Sequence, residues 1–307
     1  MTAKVILNPY ANRWRAQARK DELIAALNYA DIQFQLETTT APGHGLQLAA
    51  QAVQEGFSPI IAAGGDGSIS EVVNGMLESD TRSELPPFGV MPLGSANDFV
   101  VNLNIPTELI NAAEVIAAGN TKAIDIGVIK FGPDLGSQRF FDNNSAIGLE
   151  PTITLIQQRI TKLKGVLRYL VATLMGVMQN PQWTVHLEWE DGNYSGPATL
   201  VTVGNNPLTG GLFYMTPDAD PFDGKLTFVY GSMSTRFQIL RLLPRTMKPQ
   251  AGSYIEHPNI HQVHSTWLRI HTEQPTPLHA DGEIQSAAVH DIEYHIAGNK
   301  LPVLLPQ

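Results

Sequence analysis

The chain has 307 residues, enough for two domains of ordinary size around substantial cores. Lys and Arg number 20 against 29 Asp and Glu, a formal net charge of −9, so a nucleic-acid backbone is repelled overall and nucleic acid is not an expected partner. The absence of cysteine excludes a disulfide framework, a thiolate metal site and a cysteine nucleophile, and leaves oxygen and nitrogen groups to carry any chemistry.

The opening residues lack the apolar stretch of a secretion signal, and no uninterrupted apolar run approaches the ~20 residues of a membrane-spanning helix. A cytoplasmic protein with no transmembrane segment is expected, one that meets a membrane only peripherally. Val5-Ile6-Leu7 predicts a first strand. Leu23, Ile24, Leu27 and Ala30 have helical spacing, and Ile32, Phe34 and Leu36 alternate as in a half-buried strand. A helix over 46–54 leads to the strand Ile60–Ala63, which ends at Gly64-Gly65-Asp66-Gly67-Ser68. Ile69, Val72, Val73, Met76 and Leu77 then mark the face of a further helix, and Phe88–Met91 is the next strand. Strands alternating with helices predict a three-layer, doubly wound α/β domain up to about residue 128.

Beyond Phe131 the pattern becomes mostly β. Val185, Leu187 and Trp189 alternate with His186, Glu188 and Glu190 as one arm of a hairpin, and further strands are expected at 199–203, 226–230, 267–271 and 289–296. This predicts a β-sandwich over 129–296. The exception is a helical stripe of Ile160, Leu163, Leu167, Leu170, Leu174 and Met178, which reads as a core helix with Arg159, Lys162, Lys164 and Arg168 on its solvated flank. Contact of Lys162, Lys164 and Arg168 with anionic headgroups is the alternative reading of that flank.

Two loops carry the chemistry. Gly64–Ser68 lies between a buried strand and a helix start, where unpaired amides and the helix dipole form a phosphate cradle. Asp66 would be misplaced beside bare phosphates unless a divalent cation intervened, so the loop suggests a nucleotide with Mg²⁺. The alternative is a plain glycine-rich turn capped by Asp66 or Ser68. Pro92-Leu93-Gly94-Ser95-Ala96-Asn97-Asp98-Phe99 follows a second strand and offers a hydroxyl, an amide and a carboxylate; it too can be read as an N-capped helix start. The nine histidines show no helical metal pair with an intervening glutamate.

These motifs resemble those of the diacylglycerol kinase and sphingosine kinase catalytic superfamily, in particular its bacterial lipid kinase branch. Gly64–Ser68 and Pro92–Asp98 match the family's two ATP loops, with serine for threonine in each. Asn8-Pro9 matches the opening motif, Thr39 with Gly43-His44 a nucleotide-touching element, and Asp125-Ile126-Gly127 the Asp-x-Gly strand. Phe141–Gly148 resembles the Phe-x-Asn segment, and Asp281-Gly282-Glu283 the late Asp-Gly-Glu motif. Gly210-Gly211, Pro217, Ala219 and Asp223–Leu226 resemble the stretch that holds a structural cation in bacterial members.

The resemblance implies an ATP-binding α/β domain of the NAD kinase and phosphofructokinase type over 1–128, completed by a returning segment at about 297–307, and a lipid-substrate sandwich over 129–296. ATP and Mg²⁺ would be held by Asn8, Thr39, Gly64, Gly65, Asp66, Gly67, Ser68, Glu71, Gly94, Ser95, Asn97, Asp98 and Asp125. Glu283 would accept the proton of the lipid hydroxyl, with Asp281 and Asp66 as further catalytic candidates. Asp220, Asp223 and the Lys225 carbonyl would ligate the structural cation, against the alternative of a turn needing no metal. The lipid would be met at a membrane surface, and a homodimer is left open. An NAD kinase-like or phosphofructokinase-like enzyme, or a silent nucleotide- or lipid-binding regulator, is the rival reading.

Overall fold

The computed structural model describes residues 2–79, 85–160, 163, 165–179 and 181–307. Two compact units emerge: unit 1 comprises residues up to Ile126 together with Gly298–Gln307, and unit 2 comprises Gly127–Ala297.

Unit 1 is α/β. Its elements are β1 (Ala3–Leu7), α1 (Arg15–Ala18), α2 (Lys20–Tyr29), β2 (Phe34–Thr38), α3 (His44–Glu55), β3 (Ile60–Gly64), α4 (Asp66–Glu78), β4 (Phe88–Pro92), α5 (Asp98–Asn102) and α6 (Leu109–Ala118). The strands pair in parallel in the order β2-β1-β3-β4. Val303 of the returning segment sits beside Phe88 of β4, also in parallel. β1, β3 and β4 are buried along their whole length, as strands covered on both faces by helices must be. Val5, Leu7, Ile61, Ala63 and Met91 pack with Leu23 and Leu27 of α2, Ala112 and Ala113 of α6, and Leu304. The five apolar positions predicted for α4 are all buried.

Unit 2 begins within β5 (Thr121–Phe131) and continues with β6 (Ser137–Phe141), β7 (Asn144–Gly148), α7 (Leu149–Arg159), α8 (Gly165–Met178), β8 (Trp183–Trp189), β9 (Gly192–Ala198) and β10 (Leu200–Gly204). There follow β11 (Leu208–Thr209), β12 (Phe213–Tyr214), β13 (Leu226–Gly231), α9 (Arg236–Leu242), β14 (Ile260–Ser265), β15 (Trp267–Ala280) and the start of β16 (Glu283–Leu304). β14, β13, β10 and β7 form an antiparallel run that continues onto the late half of β15, whereas the early half of β15 pairs with β8. The switch coincides with register shifts between His271 and His279, where Pro275 and Pro277 cannot donate to a ladder. Val185, Leu187, Val201, Phe228, Leu268 and Tyr294 are among the residues of the enclosed core.

One expectation is corrected. The stripe through 160–178 is not a core face. Leu149–Arg159 forms a separate helix, α8 starts at Gly165, and Leu167, Leu170, Leu174 and Met178 are exposed. The side turned inward carries Ala172, Thr173, Gly176 and Val177 instead. Lys162 and Lys164 lie outside the described residues. Among the described residues no helix is long and apolar enough to cross a membrane.

Candidate active site

In unit 1 the strand order places the topological switch between β1 and β3, and the carboxyl ends of β1, β3 and β4 lie side by side there. Each end carries part of the predicted set. Asn8, just after β1, donates through Nδ2 to Ser68 Oγ at 2.9 Å, so the opening motif is fastened to the first turn of α4. Gly65 leads into α4 in extended conformation, and the Leu93 amide donates to the Gly64 carbonyl at 2.8 Å. The two glycine loops therefore touch along their backbones. A Cβ on Gly94 would stand 2.5 Å from Gly65 Cα, and one on Gly64 would collide with Ser68 Oγ. At these positions glycine is demanded by the loop–loop contact as well as by any phosphate.

Asp66 is the link between the loops. Its carboxylate accepts from the Asn97 amide at 2.9 Å and the Phe99 amide at 3.3 Å, capping the start of α5. Burial pushes its carboxyl above the ordinary carboxylate range, opposed by hydrogen bonds from the amides of Phe99, Asp66 itself, Asn97 and Asp98. Asn97 occupies the left-handed region at φ 55°, and its Oδ1 is buried without a hydrogen-bond partner. An acceptor orphaned beside a carboxylate that burial has made reluctant to ionise suits a cation or a ligand donor. This is the feature of unit 1 that fits a nucleotide with Mg²⁺.

Other predicted residues are engaged with backbone. Glu71, one turn into α4, accepts from the amides of Gly43 and Gly45 at 2.8 and 2.9 Å and so fixes the turn that begins α3. Thr39 is buried, its amide donating to the Leu7 carbonyl. Asp98 is buried at the head of α5, Ser95 is exposed in the loop before it, and Gly67 is half-buried in the first turn of α4. Asp125 is fully buried and accepts from the Asn299 amide at 2.7 Å, which pins the returning segment.

In unit 2, Asp281 and Gly282 form the left-handed corner between β15 and β16, with φ of 47° and 76°. The Asp281 carboxylate accepts from the amides of Asn143, Asn144 and Asp142 at 3.0, 3.2 and 3.3 Å, and its own amide donates to the Asn144 carbonyl. It thus binds the turn before β7 to the hairpin. Glu283 follows as the first residue of β16, half-exposed, its carboxylate 3.7 Å from the Arg139 guanidinium. Of the pair, Glu283 is the carboxylate turned toward solvent, and Asp281 is the one enclosed by amides.

Beneath this hairpin lies a cluster that motif reading missed. Glu150 is largely enclosed, accepting from Thr202 Oγ1 at 2.6 Å and Asn144 Nδ2 at 2.9 Å, with His279 Nε2 3.2 Å away. Burial would raise its carboxyl, but His279, Thr202 and Asn144 together hold it below the ordinary range. Asn144 is shared with Asp281, and His279 stands two residues ahead of it, so the cluster supports the hairpin that presents Glu283. Its members come from β7, α7, β10 and β15, and no local spacing in the sequence signals their meeting.

In the Asp220–Lys225 loop, Asp220 Oδ1 accepts from the Phe222 amide at 3.0 Å and Asp223 Oδ1 from the Lys225 amide at 2.8 Å, two successive Asx turns on an exposed loop. Among the described residues no group of three or more His, Asp or Glu side chains is gathered as a metal site.

An α/β unit with paired glycine loops at its switch point, followed by a β-sandwich carrying an acidic hairpin, defines a nucleotide-using phosphotransferase class. Comparison with known proteins gives the family. Residues 2–129 match the diacylglycerol kinase catalytic domain, and residues 144–304 match the YegS C-terminal NAD kinase beta sandwich-like domain. Diacylglycerol kinases of Staphylococcus saprophyticus and Staphylococcus carnosus are 25% and 27% identical over 284 residues, covering 92% of this chain and 88% of each relative. The crystal structure of a diacylglycerol kinase from Bacillus anthracis shares the fold with a TM-score of 0.74 at 18% identity, over 99% of this chain and 97% of that one. The chain belongs to the diacylglycerol kinase catalytic superfamily and is a lipid kinase.

Proposed function

We propose that this protein transfers the γ-phosphate of ATP to the hydroxyl of a diacylglycerol-like lipid with the help of Mg²⁺. The observation that carries the nucleotide half is the joined pair of glycine loops, locked by Asp66 and presenting the orphaned Asn97 Oδ1. Phosphoryl transfer is mainly positioning and charge neutralisation, so the residues can be assigned by what they do. The amides opening α4, with Ser68 and Ser95, bind phosphate oxygens. Asp66 holds the second loop in register and, with Asn97 and Asp98, would supply oxygen ligands for Mg²⁺ or its waters; Asn8 positions the first loop, Glu71 the turn that begins α3 and Asp125 the returning segment, rather than contacting phosphate. When bound, Mg²⁺ supplies charge neutralisation on the phosphates. Glu283 accepts the proton of the lipid hydroxyl while Arg139 orients its carboxylate, and Asp281 holds the hairpin.

The test is incubation with labelled ATP, Mg²⁺ and dispersed acceptors, including diacylglycerol, phosphatidylglycerol, a sphingoid base and an isoprenoid alcohol, with NAD and a sugar phosphate as controls. Label is expected in a diacylglycerol-like lipid. Label in NAD or the sugar phosphate alone, or in nothing, would refute the proposal. Glu283→Gln keeps the shape and removes the base, so its turnover should fall ~10² to 10⁴-fold with ATP affinity and melting temperature unchanged. Near-normal turnover would move the base elsewhere.

A further inference from the structure

The turn that leaves β1 is strained and carries an aromatic pair outward. Asn12, Arg13 and Trp14 occupy the left-handed region in succession, at φ of 49, 58 and 70°. L side chains disfavour that region, and such strain persists where the surroundings hold it, often at ligand sites. Here it turns an indole into water: Trp14 is 62% exposed, and Tyr10 beside it is 42% exposed. Their rings meet edge to face with centroids 4.1 Å apart. The Trp14 amide donates to the Tyr10 carbonyl at 3.2 Å, and the Tyr10 hydroxyl to the Thr40 carbonyl at 3.4 Å, so the pair is braced from both sides.

Its place in unit 1 says what such a surface can meet. β1 runs parallel to β2 and β3, so the segments that follow them leave from the same end of the sheet as the glycine loops. One side chain fastens the pair to the first of those loops. Asn8 Oδ1 accepts from the Tyr10 amide at 3.0 Å, while Asn8 Nδ2 donates to Ser68 Oγ at 2.9 Å. Arg13 and Arg15 flank Trp14 in sequence and are exposed, and residues 1–20 contain no acidic side chain in a chain of net charge −9. A flat aromatic face with positive charge beside it, tied to the loop proposed to bind phosphate, complements a base joined to an anionic tail.

We propose that Trp14, braced by Tyr10, is the platform on which the base of the nucleotide donor stacks. The indole offers its face to the base, and Asn8 keeps that face in a fixed relation to the amides that open α4. Stacking reads the flat face of a base rather than its edge groups, so the platform contributes affinity that a bare triphosphate cannot gain. The proposal rests on the nucleotide reading of unit 1 and adds to it a binding residue outside both glycine loops.

Calorimetry of the full chain with ATP and with inorganic tripolyphosphate, each with Mg²⁺, tests it. Trp14→Ala should weaken ATP binding roughly tenfold or more and leave tripolyphosphate binding unchanged, whereas Trp14→Phe keeps a stacking face and should hold ATP within about threefold of wild type. Trp14 is exposed, so both variants should melt with the wild type. ATP should also quench tryptophan emission in the wild type and not in Trp14→Phe. Equal ATP affinity in wild type and Trp14→Ala would overturn the proposal. So would equal losses for ATP and tripolyphosphate, which would show that Trp14 shapes the phosphate loop instead. Trp14 emission that responds to lipid vesicles and not to ATP would overturn it as well, and would give the pair to a lipid surface. A wild type that binds neither ATP nor tripolyphosphate would sink the nucleotide reading itself, and the platform with it.

Discussion

Gly94 and Gly65 face one another with no room for a side chain between them. Gly94→Ala forces the backbones of the two loops apart, because its Cβ would stand 2.5 Å from Gly65 Cα and overlap Asn97 Oδ1. The displaced atoms belong to a loop rather than the core, so the main loss should fall on nucleotide binding. Calorimetry with a non-hydrolysable ATP analogue and Mg²⁺ should show affinity falling by roughly tenfold or more, in a variant that still melts cooperatively. Unchanged affinity would place the nucleotide away from these loops. The same scale shows why a motif alone does not separate the roles an acid can take. Asp66, Glu71, Asp125 and Asp281 each accept backbone amides, and a carboxylate that organises loops looks the same in a sequence as one that binds phosphate through a metal.

At the level of elements, the contact between Glu150 and the buried His279 joins α7 to β15 under the hairpin that carries Glu283. Glu150 is held below its ordinary pKa, so its ionised form stabilises the fold above the unfolded carboxylate range, and that contribution is lost as pH falls through the depressed value. Glu150→Ala leaves the buried His279, Thr202 and Asn144 without their shared partner and should cost about 3 to 5 kcal/mol. The melting temperature near neutral pH should drop by roughly 10 °C. The gap between variant and wild type should narrow on acidification, which calorimetry across a pH series can follow; a constant gap would show that Glu150 acts by packing alone. How much was legible in the sequence divides along the same lines. The strands and helices of unit 1 could be read because each repeats one period over a local window, as α4 does with Ile69, Val72, Val73, Met76 and Leu77. α8 was read as a helix but pointed the wrong way, since periodicity reveals an apolar face without saying what faces it. The Glu150 cluster was invisible because Asn144, Thr202 and His279 meet only after β7, β10 and β15 have paired.

For the molecule as a whole, the cation expected at Asp220 and Asp223 can be separated from the nucleotide's Mg²⁺ by stability rather than by rate. The loop already closes through two Asx turns, so an ion there would add to a formed structure. With Asp220→Asn and Asp223→Asn together, the rise in melting temperature produced by Mg²⁺ without nucleotide should disappear. An equal rise in both proteins would assign the loop to the turn reading.

The return of residues 298–307 to unit 1 also fixes an order of events during synthesis. Leu301, Val303 and Leu304 are buried there, the Asn299 amide satisfies Asp125, and the Leu305 amide bonds the Asn120 carbonyl. None of these contacts exists until the segment has left the ribosome, whereas unit 2 is continuous from Gly127 to Ala297. At ~5 to 20 residues per second, the residues of β1 to β4 wait roughly ten to sixty seconds for the strand that covers Phe88. The domain made first is therefore the domain finished last, and a released chain truncated after Ala297 should protect unit 2 from protease while leaving unit 1 open to cleavage.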